Sequence, residues 1–200
     1  MKRRFAAVIA LVLLAGVGLA GPASADTAPL LACGSTITTP CSETAHFSDL
    51  DQWQTPVGPA TDCPTYVVND FVLMVGSGNG IEHANINKAG DFWATNTFTG
   101  AVTLTFYDPA NVDVTVIDEN GDIRATPTGP PDAVVTGHLT QWFGVSDNKQ
   151  SGEFGFTFSF TGVDQSGSPL TLHGDSHTNW TPADEGLSGP PHHSLSTARC

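Results

Sequence analysis

His173, Asp175 and His177 are the residues whose types and spacing best suit chemistry, because they occupy alternate positions in one short stretch. Imidazole nitrogens and carboxylate oxygens are common metal ligands, and alternate residues of a β-strand share one face. A straight strand rises ~3.3 Å per residue, so the two histidines would stand ~13 Å apart, too far for both to bind one ion at ~2 Å. A divalent metal site therefore requires a bulge, or a ligand such as His83 or His138 from a neighbouring strand.

A solvated polar face is the simpler interpretation of the same stretch. Leu170 and Leu172 mark the core-facing side of the predicted strand, so the two histidines and the aspartate fall on the opposite side. We therefore predict no cofactor here and keep a divalent metal as the alternative.

Trp142 is the second candidate, as a ligand-binding residue together with His138. Both share a strand face with Thr140, opposite Leu139 and Phe143, so this face is expected to be polar and exposed. An exposed, rigid indole ring can stack on sugars or other flat ligands, although tryptophan more often packs in a core or at its rim.

Motifs typical of enzymes are incomplete in this chain, and we predict no catalytic residue. Residues 146–149 mimic two strings of serine penicillin-binding enzymes, which are separate elements in a larger domain. Residues 118–122 begin like a calcium loop, but the glycine stands at the fourth position instead of the sixth. Both stretches are better explained as turns.

β-strands must position these candidates, and the clearest one contains phenylalanine at 154, 156, 158 and 160. Four aromatic residues at every second position lie on one face only in a β-strand. Similar alternation or enrichment in β-formers predicts strands over residues 66–75, 81–87, 92–98, 102–106, 112–116, 133–145 and 170–177. Asn120-Gly121 suits the tight turn of a hairpin, and Gly76, Gly78 and Gly80 are predicted to form a turn.

The predicted fold class is all-β, an antiparallel meander of eight to ten strands closed as a sandwich or a barrel. Residues 63–180 form the β domain. Residues 26–62 are rich in Thr, Pro, Ser and Ala and are predicted to be an irregular segment stapled by cysteine. Residues 181–200 form a tail tied down by Cys200.

The four cysteines are Cys33, Cys41, Cys63 and Cys200, an even number without metal-binding spacing. Three pairings are possible. We predict the local pair Cys33 with Cys41 and the long-range pair Cys63 with Cys200, which would tie the end of the chain to the start of the domain.

Residues 1–25 are predicted to be a cleaved secretory signal peptide, with a positive start, an apolar stretch and Ala23-Ser24-Ala25 at the cleavage site. The exported chain then carries four basic and twenty acidic residues, a formal charge of −16. Such a charge disfavours nucleic acid and anionic lipid as partners, and no later segment is predicted to insert into a membrane.

Residues 137–144 (GHLTQWFG), the phenylalanine strand and residues 172–177 (LHGDSH) follow one another in an order that resembles small secreted β-rich proteins of high-GC Gram-positive bacteria. The resemblance covers residues 63–180. It implies an extracellular all-β fold and transfers no activity and no functional residue.

We therefore hypothesise a secreted, non-catalytic binding or cell-envelope module whose partner is an extracellular ligand or an envelope component. The alternative is a metal-binding protein or metal-dependent enzyme that uses the His/Asp cluster. A purely structural envelope protein is the third hypothesis.

Overall fold

A computed structural model describes residues 40–54, 56, 60, 62–117, 123–148, 151–180 and 193–200. The predicted signal peptide lies outside the described residues. No helix in the described part of the chain is long and apolar enough to cross a membrane.

Nine strands and two short helical turns make up the described structure, which confirms the all-β, antiparallel prediction. The strands are β1 (Cys41–Gln54), β2 (Phe71–Ile86), β3 (Phe92–Tyr107), β4 (Val112–Ile117), β5 (Ile123–Pro127), β6 (Ala133–Asp147), β7 (Gly152–Asp164), β8 (Pro169–Trp180) and β9 (His193–Arg199). The helix α1 (Thr65–Asn69) precedes β2, and a 3₁₀ turn (Pro109–Asn111) precedes β4.

Seven strands form one antiparallel meander in the order β1-β2-β3-β6-β7-β8-β9, and β4 pairs with β5 as a separate hairpin. The hairpin's two strands agree with the prediction, while its predicted turn at Asn120-Gly121 lies outside the described residues.

The two faces of the sheet follow from alternation of side chains along each strand. Strand β3 shows this most regularly, because Phe98, Val102 and Leu104 are buried while Thr99 and Ala101, which lie between them in sequence, are exposed. We call the side that carries these buried residues the inner face and the other side the outer face.

The predicted turn at Gly76, Gly78 and Gly80 is wrong, because all three lie inside the single long strand β2. Gly78 pairs with Gly100 of β3, and a Cβ atom added to Gly78 would lie 2.6 Å from the Cα atom of Gly100. Glycine is needed here because the two backbones approach closely on the inner face. A cluster of glycines that resembles a turn in sequence thus allows a strand to continue.

The prediction of an irregular segment over residues 26–62 is also wrong in part, because β1 occupies Cys41–Gln54. Only Ala45 and Leu50 of this strand are buried, and the pairing with β2 shifts between Phe47 and Asp49. The bulge interrupts the two-residue period, which explains why the strand is hard to recognise in the sequence. The tail likewise contains a strand, β9.

A disulfide joins the two edges of the sheet. Cys63 follows edge strand β1, Cys200 follows edge strand β9, and the two residues are bonded with their Cα atoms 4.9 Å apart. The predicted pair Cys63 with Cys200 is therefore confirmed. Cys33 lies outside the described residues, so its pairing with Cys41 stays a prediction.

Candidate ligand-binding cavity

A cavity of about 260 Å³ lies against the inner face of the sheet. Most of its wall is apolar: Phe156, Phe158 and Phe160 come from β7, Phe106 comes from β3 and Leu139 comes from β6. These residues reach one cavity because the two-residue period directs them all to the same side of neighbouring strands.

Residues of both edge strands line the cavity. Gln54 at the end of β1 and Ala198 of β9 both line it, although these strands are the first and last in the sheet order. The wall also includes three exposed residues, Gln54, Asp175 and Thr197. The two edges of the sheet therefore contribute to one cavity.

Asp70 places a carboxyl group in the cavity wall. It follows α1, where its N–H donates a hydrogen bond of 3.2 Å to the carbonyl of Tyr66, and it is only 4% exposed. Its Oδ2 atom has no hydrogen-bond partner among the described residues. Burial, helped by repulsion from Asp132 and Asp108, raises the pKa of Asp70 to about 6.

Gln141 supplies the second buried polar group of the wall. Its register partners on the inner face are Phe98 of β3 and Phe158 of β7, and it is 6% exposed. Its Oε1 atom also lacks a partner within the described chain. Both unpaired atoms of the wall are oxygens that accept hydrogen bonds, provided that Asp70 is ionised.

A pair of buried polar residues on the inner face lies outside the cavity wall. Glu82 of β2 and Asn96 of β3 are register partners, both at least nine-tenths buried, and three of their side-chain oxygen and nitrogen atoms have no partner in the described structure. Burial, with repulsion from Glu43, raises the pKa of Glu82 to about 7.

The three residues of the hypothetical metal site lie on the outer face of β8, where Asp175 also borders the cavity. Two of the three have side-chain partners. His177 Nε2 lies 2.8 Å from Glu153 Oε1 of β7, and Asp175 Oδ1 accepts a 2.5 Å hydrogen bond from Thr197 Oγ1 of β9. His173 pairs in register with Ser159 and Arg199.

The additional ligands considered in the sequence lie elsewhere. His83 is on β2, and three strands separate β2 from β8. Its Nδ1 lies 2.6 Å from Thr44 Oγ1, and its ring packs against Trp93 with centroids 4.7 Å apart. Among the described residues, no group of three or more His, Cys, Asp or Glu side chains could hold one metal ion. The metal hypothesis therefore gains no support from the geometry and stays a prediction.

Trp142 has an exposed ring that lies flat on the outer face. It is 41% exposed, and its indole covers Gly144 and Gly155, where added Cβ atoms would lie 2.5 Å and 2.9 Å from it. His138 is two rows further along β6, beyond Thr140, with Nε2 3.5 Å from Thr99 Oγ1. The two candidate residues thus share the outer face, as expected, on the side of the sheet away from the cavity.

No family model, curated protein or solved structure matches this chain. The geometry alone carries the functional argument.

Asp70 and Gln141 were not identified from the sequence. Gln141 did leave a signal, because it occupies an inward position between Leu139 and Phe143, where the period calls for an apolar residue. Asp70 left none. The sequence predicts one strand over residues 66–75, and this is wrong at its start, because Thr65–Asn69 form α1 and Asp70 follows the helix.

Proposed function

We propose that this protein is a secreted, non-catalytic binding protein that holds a small, mostly apolar molecule against the inner face of its sheet. The observation that carries the proposal is the cavity of about 260 Å³, whose wall combines phenylalanine rings with two buried, unpaired oxygens. Binding sites for small molecules are typically concave and apolar, with a few polar groups that orient the ligand.

The size of the cavity limits the ligand. An apolar protein cavity of ~150 Å³ accommodates benzene, so about 260 Å³ suits a molecule of roughly ten non-hydrogen atoms. One aromatic ring with a short side chain satisfies this limit.

The unpaired oxygens indicate where the ligand is polar. Leaving a buried acceptor without a hydrogen bond costs ~1–3 kcal/mol, and Asp70 and Gln141 each contribute one such atom. A ligand that donates hydrogen bonds would recover this free energy on binding, whereas a purely apolar ligand would not.

Closure of the sheet as a barrel, in preference to a sandwich, is part of the same proposal. Its support is that one cavity is lined from both edges of the sheet and that a disulfide links those edges. In a barrel of about eight strands, the interior has room for side chains or for one small ligand. The gap between β1 and β9 would be the entrance.

Secretion is supported by the leader-like residues 1–25 and by a disulfide, which persists in oxidising compartments. The N-terminal sequence of the protein collected from the medium of an exporting host should begin at Asp26. An intact Met1 on exported material, or retention of the protein inside the cell, would contradict this part of the proposal.

Ligand binding is tested with aromatic probes that stay just within this size limit and with a pair of matched variants. Titration of the exported protein with indole, p-cresol and 2-phenylethanol, followed by ligand-observed NMR and thermal denaturation, should show saturable binding and a raised melting temperature. Ala198→Phe places a ring in the cavity wall and should abolish binding, whereas Ala101→Phe adds the same ring to the exposed outer face of β3 and should not.

Two outcomes would contradict the proposal. One is the absence of saturable binding for every probe, which would favour a structural envelope role. The other is equal binding by the Ala198→Phe and Ala101→Phe variants, which would place the ligand outside the cavity.

A further inference from the structure

We propose that the cavity selects an organic ammonium ion, an amine joined to one aromatic or aliphatic group, whose charged end pairs with Asp70. This inference rests on the proposed binding function and deepens it, because it assigns a chemical class to the ligand.

The unpaired polar atoms of the cavity wall suit a ligand that donates hydrogen bonds. The Oδ2 atom of Asp70 and the Oε1 atom of Gln141 both lack partners within the described chain, and both accept hydrogen bonds. No lysine, arginine or histidine is among the described residues that line the cavity. An anionic ligand would meet no basic group, and a neutral ligand would leave the carboxylate without a counter-charge.

Within the described part of the chain, the carboxylate of Asp70 also has no counter-charge. Ion pairing among the described residues is limited to His177 with Glu153 on the outer face. Asp108 and Asp132 instead add negative potential to the same end of the sheet. A cation in the cavity would relieve both the burial of the Asp70 carboxylate and this repulsion.

An organic cation fits this site better than a metal ion does. Calcium takes six to eight oxygen ligands and magnesium takes six, whereas the wall near Asp70 is dominated by Val67, Val72 and Phe106. Phenylalanine rings accommodate the hydrocarbon part of an alkylammonium or arylalkylammonium ion, and their faces attract its charge.

The decisive comparison uses two probes of nearly equal shape, 2-phenylethylamine and 2-phenylethanol. Calorimetric titration of the exported protein at pH 7.5 should give an affinity for the amine at least about tenfold higher, because a buried charged hydrogen bond replaces a neutral one. In Asp70→Asn, the ratio of the amine affinity to the alcohol affinity should fall to about one, because the amide oxygen still accepts a hydrogen bond but carries no charge. A cooperative thermal unfolding transition shows that the variant is folded.

Asp51→Asn is the matched control, since it removes the same charge from an exposed position on β1. It should retain the preference for the amine. If Asp51→Asn and Asp70→Asn lose the preference equally, the general negative charge of the protein, and not Asp70, attracts the cation, and the inference is overturned.

A pH series gives an independent readout. The amine stays protonated throughout, so lowering the pH from 7.5 to 5.0 should weaken amine binding as Asp70 takes up a proton, while alcohol binding changes little. Asp108 and Asp132, the charged groups that act on Asp70, shift the midpoint but not the direction. An amine affinity that stays unchanged between pH 7.5 and 5.0 would overturn the inference.

Failure of the inference can be told apart from failure of the proposed function. Equal affinity for the two probes in the native protein overturns the ammonium assignment and leaves a cavity that binds small apolar molecules. Binding of neither probe overturns both.

Discussion

The two faces of the sheet differ in whether their polar side chains have hydrogen-bond partners. On the outer face, polar side chains pair with one another across neighbouring strands, as Thr44 does with His83 and Glu153 does with His177. On the inner face, the four buried polar residues Asp70, Glu82, Asn96 and Gln141 leave five side-chain atoms without partners among the described residues. Buried polar groups are normally hydrogen-bonded, so the inner face is the one where a bound ligand or water would supply missing hydrogen bonds.

This difference shows that residue type alone does not indicate which residues need a ligand. The histidines, the aspartate and the tryptophan that attract attention in the sequence all belong to the outer face or its rim, where the paired groups need no ligand to be satisfied. The cavity residues that lack partners, Asp70 and Gln141, belong to no recognisable motif.

The largest expected effect comes from releasing the two edges of the sheet. Removing the Cys63–Cys200 bond, which spans 137 residues, should lower the free energy of unfolding by about 5 kcal/mol in the chain-entropy model. Urea denaturation of Cys63→Ala/Cys200→Ala against the native protein measures the loss. Because Cys200 lies two residues after Ala198, which lines the cavity, probe binding should weaken as well.

The predicted Cys33–Cys41 pair provides the comparison for that experiment. Its loop is far shorter, so Cys33→Ala/Cys41→Ala should cost only about 2 to 3 kcal/mol and leave the cavity unchanged. Equal losses in the two double variants would mean that joining the sheet edges has no special role.

A smaller effect is expected from the inner-face carboxyl that lies outside the cavity wall. The pKa of Glu82 is raised from 4.5 to about 7, so between these pH values the folded protein binds a proton that the unfolded chain does not. The free energy of unfolding should therefore fall as pH rises through this window, by about 3 kcal/mol from this group.

Glu82→Gln removes this titration and should be more stable than the native protein at pH 8 while matching it near pH 4.5. Thermal denaturation across the pH range measures the difference, with Asp51→Asn as a variant of the same charge change at an exposed site. If Glu82→Gln and the native protein show parallel stability profiles across this pH range, burial does not raise the pKa of Glu82 and the prediction is wrong.

On the outer face, Trp142→Ala should cost only about 1 to 2 kcal/mol, less than a fully buried tryptophan would, because its ring is 41% exposed and packs on Gly144 and Gly155. Binding of 2-phenylethanol should be unchanged. Loss of probe binding in this variant would move the ligand site from the cavity to the outer face.

Individual strands show how much of the fold could be predicted from the sequence. Strand β7 is recognisable because four phenylalanines at alternate positions share one face only in a strand. The pairing of Cys63 with Cys200 was one of three possibilities, and the structure confirms it. For strand β2, the sequence predicts two strands and a turn, because Gly76, Gly78 and Gly80 have the composition of a turn. Their role depends on Gly100 of the neighbouring strand, and a local pattern carries no information about that partner.

The candidate cavity was beyond the sequence for a related reason. The period shows that Gln141 points inward, but whether an inward polar atom finds a partner depends on how strongly the sheet curves and on what enters from α1. The outer-face candidates were placed on the correct side of their strands, yet the alternation could not tell that they would pair with neighbours.

The smallest expected effect completes the comparison of the faces. His177 and Glu153 are paired at 2.8 Å, but their side chains are 46% and 61% exposed. Exposed pairs typically contribute less than ~1 kcal/mol, and salt screens them. A double-mutant cycle of His177→Ala and Glu153→Ala at pH 6 should therefore give a small coupling energy that falls further in 1 M NaCl. A coupling well above that range, or one that salt leaves unchanged, would show that the outer face holds its polar pairs as tightly as a buried site does, and the contrast with the inner face would no longer hold.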